Sequence, residues 1–280
     1  SLFGQSVIGL GNASLDMQAL FEEMFQADGV KRVVPFPFTQ VRGTTEGASM
    51  AVYLLRTRDE DLRFMPPQNF PLTPTMCEDA PAWWLLKKKK TMYHTGSTDA
   101  RSVRAMMQFL LNPLNGPDYI KSLEPTFADI QAFILSLEPP KYPFPIDRAL
   151  AQKGQHLFEK HCARCHGTYG PNGHYPNRII PLEEIGTDPI RAKGIPQAAK
   201  QLYVRSWFGQ ERDRDGKPLT LRDEIGYQAP PLDGVWATGP YFHNGSVPTV
   251  YHVLNSAARP KIFTRTFRTS TEDYDPVHLG

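Results

Sequence analysis

The chain has 280 residues, 40% hydrophobic and 21% charged, with a formal net charge of +2. That is an ordinary globular composition, long enough for one large or two smaller domains. So mild a charge excludes a nucleic-acid-binding reading, and no run of about 18 apolar residues exists to form a membrane span. The 26 prolines predict many loops and short elements. No signal peptide is recognisable and the first residue is serine, so the chain is expected to be mature, trimmed or a fragment.

Residues 14–27 read as an amphipathic helix capped by Ser14, with Met17, Leu20, Phe21, Met24 and Phe25 on one stripe. Residues 35–45 read as loop. A helix is expected over about 47–60, carrying Met50, Tyr53, Leu54 and Leu55. After an irregular stretch comes Trp83-Trp84-Leu85-Leu86, then Lys87 to Lys90. Four consecutive lysines read as a solvated face, with a docking patch for an acidic redox partner as the sharper alternative. Tyr93-His94-Thr95-Gly96 predicts a turn that leaves His94 at the surface. Ser97 reads as the cap of a helix with Val103, Met106, Met107 and Leu110 inward, stopped by Asn112-Pro113. A further helix covers 126–138, with Phe127, Ile130, Phe133, Ile134 and Leu137 on its apolar face. Pro139, Pro140, Pro143 and Pro145 then make a stiff connector. The boundary between a domain over 1–140 and one over 146–280 is placed there.

Asp147 is expected to cap the helix leading into Cys162-Ala163-Arg164-Cys165-His166. C-x-x-C-H is the attachment motif of c-type haem: each thiol adds to one vinyl group, and the imidazole becomes the proximal iron ligand. A zinc site needs a second ligand pair, and the third cysteine, Cys77, has no partner in sequence. A thioredoxin-like redox pair needs a βαβ context, and none is visible. Covalent haem c at Cys162, Cys165 and His166 is therefore the expectation. Such attachment implies a periplasmic or secreted protein. Gly154 and Phe158 share a helix face, so another helix can cross at the glycine while the ring lies near the porphyrin edge. From 167 to about 196 the chain reads as a long loop, with Arg178 and Arg191 expected at the surface, or as propionate partners in the sharper alternative. Pro196 opens a helix to about Phe208, residues 210–224 are charged and turn-rich, and Pro248 starts a last helix to about Ala258.

All eight methionines lie at or before Met107. A His/Met haem ligated within residues 146–280 is thereby excluded. His174 is too close in sequence to His166 to cross the haem edge. His243, His252 and His278 stay as candidate distal ligands, alongside no ligand within this chain.

The segment from Gln228 to Thr249, with Pro230-Pro231-Leu232-Asp233-Gly234, Thr238-Gly239-Pro240 and His243-Asn244-Gly245-Ser246-Val247-Pro248, resembles the second haem domain of the di-haem cytochrome c peroxidase and MauG superfamily. Tyr175-Pro176-Asn177, Gly186-Thr187-Asp188-Pro189, Arg259-Pro260 and the tryptophan-then-lysine run at 84–90 resemble its rubber-oxygenase-like branch. The resemblance implies an all-α protein: a cytochrome c-like helical haem domain with long loops, preceded by a second mainly helical domain. It implies a second haem c outside this chain, because only one C-x-x-C-H is present. It implies an electron relay at Trp84, with Trp83 beside it, and a calcium ion near Thr238 and Pro240. The position of the family's axial Met or Tyr aligns to Ala257, which cannot bind iron. The implied function is an oxidoreductase using peroxide or dioxygen, in which the His166 haem exchanges electrons with a reactive haem. A single-haem electron-transfer cytochrome, docking on a redox partner protein, is the competing reading.

Overall fold

The computed structural model describes residues 44–45, 47–69, 76, 78–112, 114–219, 222–264 and 271–280. The helix expected at 14–27, most of the loop expected at 35–45, and Cys77 lie outside the described residues. Helices dominate, but three two-stranded antiparallel sheets join them, so the expectation of an all-α fold is corrected to helix-rich. The sheets arise where turns and loops pair their own backbone groups instead of leaving them orphaned. The described chain divides into two units.

The first unit holds residues 44–45, 78–80, 236–264 and 271–280. β1 (Thr44–Thr45) pairs with β2 (Glu78–Asp79), and Asp79 N donates to His243 O at 2.6 Å. Thr249, not Pro248, caps the helix Val250–Leu254; its hydroxyl accepts from His252 N at 3.2 Å. That helix is shorter than expected and gives way at Asn255 to a 3-10 turn, Ser256–Ala258. The C-terminal residues close over its first turn, with Val250 N donating to Leu279 O at 2.9 Å and Tyr251 N to His278 O at 3.1 Å. The orphan N–H groups of a helix start are met in this way.

The second unit holds the described residues of 47–76 and 81–235, including the proline-rich segment 139–145. Its core is built around the helix Gly47–Leu55, which buries Val52, Tyr53, Leu54 and Leu55. It packs on the 3-10 helix Arg104–Leu111 and on the helix Gln197–Arg205. Arg58 is wholly buried just beyond it. Its guanidinium donates to Leu62 O at 2.9 Å, Leu111 O at 3.1 Å and Asn112 O at 2.9 Å. It thus caps the carboxyl end of Arg104–Leu111, where a cation meets the helix dipole. The start of the same element is capped by a buried carboxylate: Glu211 accepts from Ser102 Oγ at 2.5 Å and Val103 N at 2.9 Å.

Ser97 does not cap a helix. It sits after the predicted turn, which joins β3 (Thr91–Met92) to β4 (Thr98–Asp99). The local cap is Ser102, whose Oγ accepts from Ala105 N at 3.0 Å. The helix expected over 126–138 runs over Glu124–Ser136 and buries only Ile134 of its expected apolar face. Arg148–His161 leads into the cysteine motif as expected, and Asp147 caps it by accepting from Leu150 N at 3.0 Å. The stretch 167–196 is more ordered than the loop expected there. It contains β5 (Ile179–Pro181) and the helical turns Leu182–Ile185 and Ile190–Lys193. β5 pairs with β6 (Gly226–Gln228), and only glycine fits at 226, where a Cβ would lie 1.8 Å from Ile180 O.

Candidate haem-attachment site

The helix Arg148–His161 ends at Cys162, and a single further turn, Ala163–His166, carries the rest of the motif. Cys165 N and His166 N both donate to Cys162 O, at 3.1 and 3.0 Å. That turn sets the two thiols three residues apart on one face, with the imidazole next to them. The thiols are half-buried and not joined to each other. Arg178 Nη1 lies 3.9 Å from Cys165 Sγ.

Gly167 turns the chain back directly after the histidine. Its φ is +87°, and a Cβ there would lie 2.5 Å from His174 O, so a side chain is excluded twice over. His174 closes this small loop: its carbonyl accepts from Thr168 N at 2.9 Å, and its own N–H donates to Thr168 Oγ1 at 3.0 Å.

His166 Nδ1 lies 2.8 Å from Pro230 O. A carbonyl only accepts, so Nδ1 carries the proton and donates, which in the neutral ring leaves the lone pair on Nε2. A metal-binding imidazole is oriented in this manner. The carbonyl belongs to a strap, residues 229–233, that is tied down along its length. Tyr175 Oη donates to Ala229 O at 2.6 Å, and Ala229 N donates to Arg178 O at 3.0 Å. Leu232 N donates to Tyr169 Oη at 2.7 Å, and Tyr169 Oη donates to His166 O at 3.1 Å. Trp84 Nε1 donates to Asp233 O at 2.7 Å, and Lys88 Nζ lies 2.6 Å from Asp233 Oδ1. Burial pushes both the Tyr169 and Tyr175 hydroxyls above the ordinary phenol range, so both stay protonated donors at neutral pH.

This donor set suits a covalently attached haem. Two unpaired thiols and an imidazole with a free Nε2 share one turn. The helix that carries them leaves Leu150 65% and Leu157 61% exposed, apolar surface of the kind a macrocycle or a packed helix covers. Among the described residues no group of three or more His, Cys, Asp or Glu side chains converges as a metal site.

The remaining candidates are distributed. Trp84 is half-buried in the second unit, on the 3-10 helix Trp83–Lys88, and Trp83 is 49% exposed. Within the lysine run, Lys87 pairs with Glu138 and Lys88 with Asp233, while Lys90 is exposed. Arg191 is neither at the surface nor free for a propionate. It is buried against Glu224 at 2.8 Å, and the same carboxylate meets Lys200 at 3.2 Å and Thr95 Oγ1 at 3.0 Å. A buried charge has to be paired in this way.

In the first unit, His243 is buried, His252 Nδ1 lies 2.8 Å from Thr249 Oγ1, and His278 Nδ1 lies 2.6 Å from Asp275 Oδ2. The Asp275 carboxyl is held below the usual range, chiefly by its hydrogen bond from His278. Thr238 and Pro240 flank the turn before Tyr241, which bridges to Val247. Tyr169, Tyr175 and the strap carbonyl were not singled out as site residues from sequence. The sequence signals for them are Tyr175-Pro176-Asn177 and Pro230-Pro231 within the stretches that carry the family resemblance; Tyr169 has none.

Residues 226–264 match the model of a family described as RoxA-like, cytochrome c-like. The matched stretch includes the whole strap, and a cytochrome c-like domain implies haem c binding and electron transfer. Such domains typically lie outside the cytoplasm. Over 169 residues the chain is 36% identical to uncharacterized protein y4iM of Sinorhizobium fredii (strain NBRC 101917 / NGR234), covering 53% of this chain and 37% of that protein. Over 199 residues it is 30% identical to uncharacterized protein y4iJ of the same strain, covering 51% of this chain and 32% of that one. The chain thus spans about a third of the length of these relatives. Among the described residues no helix is long and apolar enough to cross a membrane.

Proposed function

We propose that this chain is the haem-attaching part of an extracytoplasmic c-type oxidoreductase of the di-haem peroxidase or rubber-oxygenase type. Cys162 and Cys165 hold the haem and His166 is its proximal ligand. The observation that carries the reading is the His166 Nδ1 hydrogen bond to Pro230 O, which presents Nε2 as a ligand beside two free thiols. A haem c held there supplies a one-electron Fe(III)/Fe(II) couple.

In this reading the haem exchanges electrons with a second, reactive haem c outside the chain, which meets peroxide or dioxygen. Residues 146–280 then correspond to one haem domain, and residues 1–140 to the remainder of the other, whose haem motif is not in this chain. Trp84, already tied to the strap through Asp233 O, is the proposed relay. His243, His252 and His278 stay candidates for the distal position, alongside a ligand from outside this chain; His278 is the one whose Nδ1 meets a carboxylate, that of Asp275. Calcium near Thr238 and Pro240 would rest on carbonyl and water oxygens, as hard cations prefer.

The test is a haem count on the full-length protein. The double variant Cys162→Ala/Cys165→Ala is expected to lose one covalent haem per chain in a pyridine haemochrome assay. An unchanged count sinks the proposal. Two haems in the wild type support the di-haem enzyme, whereas one supports the single-haem electron carrier.

A further inference from the structure

We propose that Tyr169 and Tyr175 are positioning residues for the proximal imidazole: together they hold the Pro230 carbonyl against His166 Nδ1 and so set the electron donation of that histidine. The proposal rests on the haem reading above.

The two hydroxyls bracket Pro230. Tyr175 Oη donates to the carbonyl of Ala229, one residue before it, at 2.6 Å. Tyr169 Oη accepts from the N–H of Leu232, two residues after it, at 2.7 Å. The same Tyr169 oxygen donates to the carbonyl of His166 itself at 3.1 Å. The strap is therefore referenced to the histidine whose ring it must meet, and not only to the surrounding fold. Proline contributes no N–H, so residue 230 cannot anchor itself through a backbone donor; its neighbours must do it. The Tyr169 ring is fixed in turn, edge-on to Phe158 with centroids 5.8 Å apart and 5.2 Å below the Lys88 ammonium. Lys88 also pairs with Asp233, so the tyrosine and the end of the strap share one clamp.

A well-aligned Nδ1–H···O bond makes the imidazole a stronger donor through Nε2. A stronger donor favours the oxidised iron. Loosening the strap must then raise the reduction potential without removing the ligand. An ordinary structural tyrosine would change stability and leave the potential where it was.

The experiment compares Tyr169→Phe and Tyr175→Phe with wild type in the full-length, haem-loaded protein, with the exposed Tyr119→Phe as control. Potentiometric titration follows the spectroscopic signal that His166→Ala abolishes. Both strap variants are expected to keep their covalent haem by pyridine haemochrome and to shift the midpoint upward, the control to shift nothing. A tenfold change in the oxidised-to-reduced ratio would read as 59 mV for this one-electron couple. Unchanged midpoints in both strap variants, with haem retained, overturn the positioning role and leave the haem reading standing. A wild-type protein without covalent haem overturns both. Should one variant fail to accumulate, the other decides, because each removes a different bond to the strap.

Discussion

Two helices of the same unit are used in opposite ways. Gly47–Leu55 buries six of its nine residues, whereas Arg148–His161 buries none of its fourteen. The first is held along its length by apolar contact. The second is held mainly at its ends, by the Asp147 cap at one and by the turn of cysteines and His166 at the other. A helix need not lie in the core to be precise at its tip; it needs its last turn tied to something rigid. Here that is a strap 64 residues further along the chain. The comparison can be broken at either helix.

The largest effect is expected in the buried one. Leu55 is 4% exposed, and Leu55→Ala should destabilise the unit by about 2–5 kcal/mol through lost transfer energy plus a cavity. Urea denaturation with an unchanged m-value would measure it. A loss under about 1 kcal/mol would mean that the site collapses to refill the gap, and that the first helix is no better packed than the second.

A second test lies in the segment that reaches the strap from the side. Burial lowers the Lys89 ammonium to about 8 from 10.5. A lowered lysine releases its proton in the folded chain before the unfolded chain does. The cost of burying the charge is therefore present in full below pH 8 and is relieved as the pH rises toward 10.5. Stability should climb between pH 8 and about 10, and Lys89→Gln should flatten that climb. The same slope in the variant would assign it to another group and return Lys89 to the solvated face expected of a lysine run.

What could be read from sequence follows the reach of each interaction. Asp147 as a cap and Asn112 as a stop depend on neighbours within three or four residues, and both were legible. Ser97 failed as a cap because Thr98 and Asp99 pair with Thr91 and Met92, a local competition that helical spacing does not register. Arg191 reads as a surface cation until Glu224, 33 residues away, is seen to bury it. Cys162, Cys165 and His166 stand out in the sequence because the motif lies in five consecutive positions. The strap was legible as a recognisable stretch, but not as the acceptor for His166, since nothing local marks which carbonyl will meet the ring.

The smallest expected effect bears most directly on the exposed helix. Leu150, Gly154, Leu157 and His161 recur at helical spacing on Arg148–His161, and a Cβ built on Gly154 meets nothing within 4 Å. Sequence suggested a glycine kept small so that another helix could cross. If the face is as open as the geometry has it, Gly154→Ala relieves only a backbone-entropy cost and should stabilise the chain by about 0.5–1 kcal/mol. The change is measured by thermal or urea unfolding of the haem-loaded protein against wild type. A destabilising Gly154→Ala reverses the contrast between the helices: it would mean that something packs against residue 154, and that the second helix, like the first, is held along its length.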